Sequence, residues 1–482
     1  VNFKGADTSA GAAGAVQFAV AKHDVQSRFD AALLVTLGLV AAYFLIYPVW
    51  RSQFLIEIWF TEGWNAYFQD MAAAGGRIYP SPNDLIINNY PPLSFYAVGL
   101  LGKAAGIDNL FLGRAISLAS LIGTALGIFS CIRTLTCSRV DAALGSLWFV
   151  AIMSHNFTSY VGANDPQLTG EAIMTGGLAW MLARNRTGRS AFGPLLIMVV
   201  GGFWKHNMIA IPLTAVIWLS ARRGRAAVPA IAASAAAAAV GLAACGFIFG
   251  MDFFRNLFVA RNYSVDHILG NIGHLQWCAL AGLIWLSWLM TSRSIGAKFT
   301  SLHVPIALAS CLMQWLGDKV FGNAEFDLII ALAIAVGVTC AEIESCSLTR
   351  YTGMAAAKVA VVAMLVVRLL ATDRQEPLLV MFDQNFRSLF HQGEQSVRNE
   401  AQQIAAIEGD VWCFYKVVCR AAGKPFVVDD FLLDELVATR TMGQSDVDDL
   451  LRARHITVLH NRPVDAVTLD TSLSHAVVRA RP

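Results

Sequence analysis

Glu62 and Asp165 are the residues of this chain best placed for chemistry. Glu62 lies in Ile58-Trp59-Phe60-Thr61-Glu62-Gly63-Trp64-Asn65-Ala66-Tyr67-Phe68-Gln69-Asp70, directly after the first hydrophobic span, and Asp165 lies in Gly162-Ala163-Asn164-Asp165-Pro166, which opens another. A carboxylate held at a membrane surface can act as general base toward a hydroxyl of a lipid-borne polar substrate. Two such loops meeting in one cavity supply a base and a group that orients it or binds a metal. Each acid also has a plainer reading. A first-turn Glu is favoured by the helix dipole, and an Asp before Pro reads as a helix cap. Glu171 sits a turn and a half deeper in an apolar helix, where an acid needs a partner or a cavity, so it reads as lining the substrate cavity. Glu57 and Asp70 read as solvated.

Cations gather in the same regions of the chain. Lys205-His206 interrupts an apolar run, and a buried cation requires an anion: a phosphate, or Asp165 or Glu171 as ion-pair partner. Arg261 and His267, after Gly250, and Lys319, before Phe321, could complete an anion site, although any one of them alone reads as a surface residue. Asn89 and Tyr90 form a turn with Pro91-Pro92 and, with Trp64, are candidate cavity walls. Thr61 reads as the N-cap of a helix on which Trp64, Tyr67, Phe68 and Met71 share a face, so that helix should lie along the interface with its aromatics among headgroups.

The elements that must position these groups belong to a membrane. The chain has 482 residues, 56% of them hydrophobic and 15% charged, with mean hydropathy +0.53, which predicts a polytopic α-helical membrane protein. Net charge of +2 and the lack of zinc-ligand spacing, Walker loop or dinucleotide fingerprint argue against nucleic acid as a partner and against nucleotide chemistry. Most of the nine cysteines fall in hydrophobic runs, whereas Cys413 and Cys419 lie in a polar region at a spacing that would not bridge within one regular helix.

Apolar runs fall near 30–50, 112–133, 140–158, 167–183, 191–221 (broken at Lys205-His206-Asn207), 226–250, 273–291, 301–317, 327–345 and 354–371. Taking the broken run as two short helices gives about eleven crossings. With the N-terminus inside, Arg133 and Arg139, Arg184 to Arg189, Arg222 to Arg225, Arg293 with Lys298, and Arg350 with Lys358 all fall on one side, as the positive-inside rule requires. This holds only if Pro91 to Gly106 is a juxtamembrane or re-entrant segment. The expected organisation is a cytosolic leader over 1–28, a membrane domain over 29–371 with a large external loop at 51–111, and a periplasmic α/β domain over 372–482 with strands at 411–414, 425–429 and 456–460.

This arrangement resembles the GT-C superfamily of membrane glycosyltransferases, in the branch of the protein O-mannosyltransferases and the lipid A aminoarabinose transferases. The likeness is carried by Thr61-Glu62-Gly63-Trp64 with its aromatic helix, Gly76-Arg77-Ile78-Tyr79, Asn89-Tyr90-Pro91-Pro92-Leu93, Arg114 opening the next span, Asn164-Asp165-Pro166 and Trp204-Lys205-His206-Asn207. It covers about the first 220 residues well. The resemblance implies a polyprenyl-phosphate-linked sugar donor, a hydroxyl acceptor on lipid or glycan, and Glu62 and Asp165 as the catalytic acids. Lys205, His206, Arg261 and Lys319 would bind the donor phosphate. Two departures stand out: an acidic pair beginning with Asp is reduced to Thr61-Glu62, and a basic residue before Pro-Pro is replaced by Tyr90. A divalent metal is compatible with this chemistry and not required by it. The expected location is the bacterial inner membrane, the site opening to the periplasm. The alternative is a flippase or transporter of lipid-linked sugars, in which the same groups bind a passing headgroup.

Overall fold

The computed structural model of the chain describes residues 9–343, 354–371 and 374–459, with side chains from residue 27 on except at 354 and 355. Helix α1 (Ser9–Arg51) carries the first span and extends back through the stretch expected to be a leader. The first loop then holds α2 (Thr61–Ala74) and α3 (Leu93–Ala105). The bundle follows as α4 (Asn109–Thr136), α5 (Arg139–Asn156), α6 (Gln167–Arg186), α7 (Phe192–Trp204), α8 (Ala210–Arg223) and α9 (Val228–Phe249). After the short α10 (Met251–Leu257) and α11 (Val265–Asn271) come α12 (Ala279–Leu289), α13 (Ile295–Gln314) and α14 (Phe326–Glu342). The last of these is the axis of the bundle: its apolar stretch, Gly322–Glu342, is 94% buried, against α5, α4, α12 and α13.

Five stretches of the described residues are long and apolar enough to cross a membrane, and six if the bent pair Val265–Trp277 and Ala279–Leu289 counts as one. That is fewer than expected. Helix α6 has 20 residues but carries Gln167, Glu171, Arg184 and Arg186, which lower its hydropathy. The 40-residue stretch Ala210–Phe249 counts once although it breaks at Gly224 (φ 53°, ψ −129°). Its two ends return to one face: Ala210 N donates to Asp327, and the Phe249 ring lies 5.0 Å from Tyr79 in the first loop. The break expected at Lys205 falls between α7 and α8. Helix α3 spans only about 20 Å, too short to cross, and it packs on α2 with Lys103 Nζ donating to Ala73 O at 2.9 Å.

The basic loops share the opposite end of the bundle. Arg223 donates to Asn185 Oδ1 at 2.7 Å and to the backbone oxygens of Arg184 and Arg189, Arg186 reaches Cys137 Sγ, and Lys358 pairs with Asp141 at 3.1 Å. Arg350 lies outside the described residues.

The C-terminal segment packs on the first loop. Helix Gln384–Ala405 sets Phe386 and Phe390 against Tyr47, Trp50 and Phe54 at the end of α1. Strands β1 (Val411–Trp412) and β2 (Thr457–Val458) pair in parallel. The strand expected at 425–429 is reduced to one bridge between Val428 and Leu85 of the first loop, and residue 460 lies outside the described residues. Cys413 and Cys419 are joined in a disulfide, with Cα atoms 6.0 Å apart. The bridge forms because Cys413 precedes helix Lys416–Ala421 and only Cys419 lies within it.

The aromatic face of α2 is not at a lipid interface. Trp64, Tyr67 and Phe68 are buried against Phe95 of α3 and Phe426 of the C-terminal segment, Tyr67 stacking on Phe426 at 5.2 Å. Gly63 allows the contact on the other side, since a Cβ there would sit 2.6 Å from Lys416 Cβ and Val417 N. Gly63→Ala is expected to push the two helices apart at a cost of about 1–3 kcal/mol, read as a lower Tm in thermal unfolding.

Candidate active site

Glu62 is fully buried, and both its oxygens are filled. Oε1 accepts from Arg114 Nε at 2.9 Å and Asn164 N at 2.7 Å, and Oε2 from Arg114 Nη2 at 2.8 Å and Ile58 N at 2.7 Å. Arg114 spends its remaining donors on the carbonyls of Ser52 (3.2 Å), Phe54 (2.5 Å) and Ile56 (2.6 Å). Glu62 therefore neither faces water nor opens to a cavity. Thr61 is not the N-cap either: Phe60 takes that place without a side-chain cap, and the Thr61 hydroxyl points at Asp165.

Asp165 is next in sequence to the Asn164 amide that Glu62 holds, and its surroundings differ. Oδ1 accepts from Gln167 N at 2.8 Å and Lys205 Nζ at 3.1 Å, whereas Oδ2 has a single long contact, Thr61 Oγ1 at 3.4 Å. The cap reading and the chemical one thus fall on different oxygens. Lys205, buried where α7 ends, lies 4.6 Å over the Tyr90 ring. The phenol of Tyr90 is pushed above its ordinary pKa by desolvation, which Lys205 opposes. His206 is exposed, its ring 6.4 Å from Tyr90, and Trp64 meets Tyr90 edge-on at 5.0 Å. Asn88, not Asn89, fixes the turn: its Oδ1 accepts from Tyr90 N at 3.1 Å and its Nδ2 donates to Ile78 O, while Asn89 is half-buried beside it.

The other anticipated residues lie around this cluster. Glu171 is buried behind it, Oε1 accepting from Gln167 Nε2 at 2.9 Å and Oε2 without a partner. Arg261 stacks on Phe431 of the C-terminal segment, its Cζ 4.9 Å from the ring centroid. Lys319 is farther out, paired with Asp434 of the C-terminal segment. His267 is turned away, bonded to Leu316 O.

Three residues that position Asp165 were missed from sequence. Gln69 and Asn164 exchange two amide hydrogen bonds (3.0 and 2.9 Å), and Asn65 Nδ2 donates to Asn164 O at 2.9 Å. Glu62, Asn65 and Gln69 form a polar stripe at helical spacing on α2, a signal present beside the aromatic stripe that drew attention. Gly113 on α4 admits the clasp, because a Cβ there would fall 1.8 Å from Asn164 Oδ1. Trp64 ties the site to the C-terminal segment through Nε1, which donates to Asp429 Oδ2 at 2.9 Å.

No protein-family model and no curated protein matches the sequence. Solved structures do. The apo structure of ArnT from Cupriavidus metallidurans, a lipid A aminoarabinose transferase, is 16% identical with a TM-score of 0.56, over 93% of this chain and 94% of that one. ArnT bound to undecaprenyl phosphate is likewise 16% identical, with a TM-score of 0.53 over 87% and 90%. The oligosaccharyltransferase AglB from Archaeoglobus fulgidus, in complex with an inhibitory peptide and a dolichol phosphate, is 11% identical with a TM-score of 0.47, over 84% of this chain and 64% of its own. The chain has the GT-C fold. In this structure the first loop and the Asn164-Asp165-Pro166 turn meet on one face.

Where α2 meets the C-terminal segment, two further acids are buried, and Glu57 is not solvated as expected. Glu57 Oε2 accepts from Val417 N at 3.2 Å, Oε1 has no partner, and desolvation raises its pKa to about 8 against the pull of Lys416. Desolvation likewise raises Asp429 to about 6. Asp70 is partly exposed and held by Arg420 at 2.6 Å. A carboxyl whose folded pKa lies above its unfolded value makes the folded state bind the extra proton. Its stability contribution is therefore complete below the unfolded pKa and is lost as pH rises toward the folded one. Wild-type stability should fall between about pH 5 and pH 8 by up to about 1.4 kcal/mol per pH unit from this group, and Glu57→Gln should flatten that slope in thermal unfolding across the range. Arg114→Met, which strands Glu62, should cost about 3–5 kcal/mol by the same measurement, and Asp165→Asn, which leaves the buried Lys205 without its carboxylate, should also lower Tm.

Proposed function

We propose that the protein is an inverting glycosyltransferase that moves a sugar from a polyprenyl-phosphate-linked donor to a hydroxyl of a lipid or glycan at the periplasmic face of the bacterial inner membrane. The observation that carries this reading is the Asp165 carboxylate, one oxygen anchored by Lys205 and Gln167 and the other nearly free, with a single 3.4 Å contact to Thr61 Oγ1. The structural likeness to ArnT, which has been seen with undecaprenyl phosphate bound, supports the donor class.

In the proposed reaction Asp165 Oδ2 takes the proton of the acceptor hydroxyl while the hydroxyl oxygen attacks the anomeric carbon. The bond from that carbon to the phosphate oxygen breaks on the opposite face, so a single displacement inverts the centre. Polyprenyl phosphate leaves with its added charge met by Lys205 and Arg261. Tyr90, Asn89 and Trp64 wall the cavity, and His206 stands at its exposed side. Glu62, which resembled the base in position, acts here through Asn164: with no free lone pair it orients Asp165 and takes no proton itself. The orientation is supported by the basic loops grouped at the end away from the site and by the disulfide on the site's side, which suits an oxidising compartment.

The test is incubation of the purified protein with a polyprenyl-phosphate sugar, followed by measurement of released polyprenyl phosphate and acceptor labelling. Asp165→Asn, assayed below its own unfolding transition because it also unpairs Lys205, should lower kcat by about a hundredfold or more. Transport of the donor across vesicles that survives this substitution, with no sugar transferred, would establish the flippase reading instead.

A further inference from the structure

The loops carrying Arg261 and Lys319 are paired as a short antiparallel ladder. Tyr263 bridges Gly317, Ser264 N donates to Leu316 O at 2.9 Å, and Asp318 N donates to Asn262 O at 3.0 Å. Two residues beyond that bridge Arg261 and Lys319 approach the same ring, and like charges brought together repel. Lys319 also adopts a left-handed backbone, φ 49°, which is unfavourable for a residue with a Cβ. A folded chain would shed this arrangement unless something held both cations there.

One ring does. Phe431, in the C-terminal helix Asp430–Ala438, lies beneath both charges, with Arg261 Cζ 4.9 Å and Lys319 Nζ 5.7 Å from its centroid. The same helix supplies Asp434 to Lys319, and its buried Glu435 accepts from Asn262 N at 3.1 Å, which fixes helix to ladder. Lys319 thus has a counter-ion. Arg261 has a face to stack on and, among the described residues, donates no hydrogen bond, so its planar fork is unspent. Two residues before Phe431, Asp429 accepts from Trp64 Nε1 at 2.9 Å, and the Trp64 ring meets Tyr90 at 5.0 Å, which ties the platform to the Asp165 cluster. An unspent guanidinium beside a second cation suits a phosphate, which takes two donors at once.

We infer that Phe431 is a positioning residue of the donor-phosphate site, the aromatic platform on which the C-terminal segment sets Arg261, with Lys319 on the same ring, toward the phosphate. This rests on the donor reading given above and assigns the C-terminal segment a part in it. The helix is therefore a wall of the site rather than a separate appendage.

The full-length protein in detergent is titrated with undecaprenyl phosphate. Arg261→Gln should weaken binding about tenfold or more. Phe431→Leu, which keeps apolar bulk and removes the ring, should weaken it about three- to thirtyfold, and Phe431→Tyr should restore it. Added to Arg261→Gln, the Leu substitution should have a clearly smaller effect than it has alone, leaving only the Lys319 contact to lose, an outcome that mere loosening of the fold would not produce. Should Phe431→Leu fail to fold, Phe431→Met serves in its place. Wild-type affinity in the Leu or Met variant while Arg261→Gln binds weakly, or additive losses in the double variant, would overturn the role of Phe431. Wild-type affinity in Arg261→Gln would instead overturn the assignment of this cation to the donor, and the inference with it.

Discussion

The buried pair of Glu62 and Arg114 is the constraint on which the site depends. A charge taken out of water is tolerated only when its partner and its remaining hydrogen-bonding positions are all supplied. Here they are: two arginine donors and two backbone amides fill the carboxylate, and the carbonyls of Ser52, Phe54 and Ile56 take the rest of the guanidinium. Those groups come from four pieces of chain, so the pair fixes the descent from α1, the start of α2, the start of α4 and the turn before α6 against one another. The energy is held in the geometry: no one piece can shift without leaving a buried charge or amide unpaired.

That arrangement separates two acids that look alike in sequence. Proton abstraction needs a lone pair facing the substrate, and a carboxylate with four donors has none to give. Asp165 is held from one side only, by Gln167 N and Lys205 on Oδ1, so that Oδ2 keeps its capacity. Saturating Glu62 is what allows Asp165 to stay unsaturated, because Asn164 is pinned by Glu62, Asn65 and Gln69 and the next residue needs no further anchor. The same logic accounts for the small residue at Gly113, where any side chain would displace the Asn164 amide.

Much of this was legible in the chain. The apolar runs, the break at Lys205 and the single-sided basic loops follow from hydropathy and charge, which a membrane enforces residue by residue. The pairing of Lys205 with Asp165 was open as an ion pair from the cost of burying either alone. What was hidden depends on long-range partners. Trp64, Tyr67 and Phe68 carry the pattern of an interfacial helix, and only Phe95 and Phe426 turn that face into a core. Glu57 looks solvated in a polar loop until Val417 and Lys416, some 360 positions later, cover it. Cys413 and Cys419 bridge because a turn precedes the helix, a boundary that spacing alone does not reveal. Span counting by hydropathy also falters at α6, since Gln167 and Glu171 at the site end and Arg184 and Arg186 at the other make its helix look less like a crossing.

These late partners carry a consequence for how the site is assembled. Asp165 and its supports, Lys205 among them, come from residues before about position 210, whereas Arg261, Lys319 and the Phe431 ring beneath them come from loops after position 260 and from a helix near position 430. Trp64 bonded to Asp429 and Arg261 stacked on Phe431 close that circuit within three residues of each other on the C-terminal segment. The segment thus contacts both halves, the acid side through the first loop and the cation side through the ladder. Contacts of such sequence separation form late, because loop closure must precede any gain from them. Asp165 can therefore be set before the ladder side closes, and the two halves of the proposed site come into register when the C-terminal helix docks.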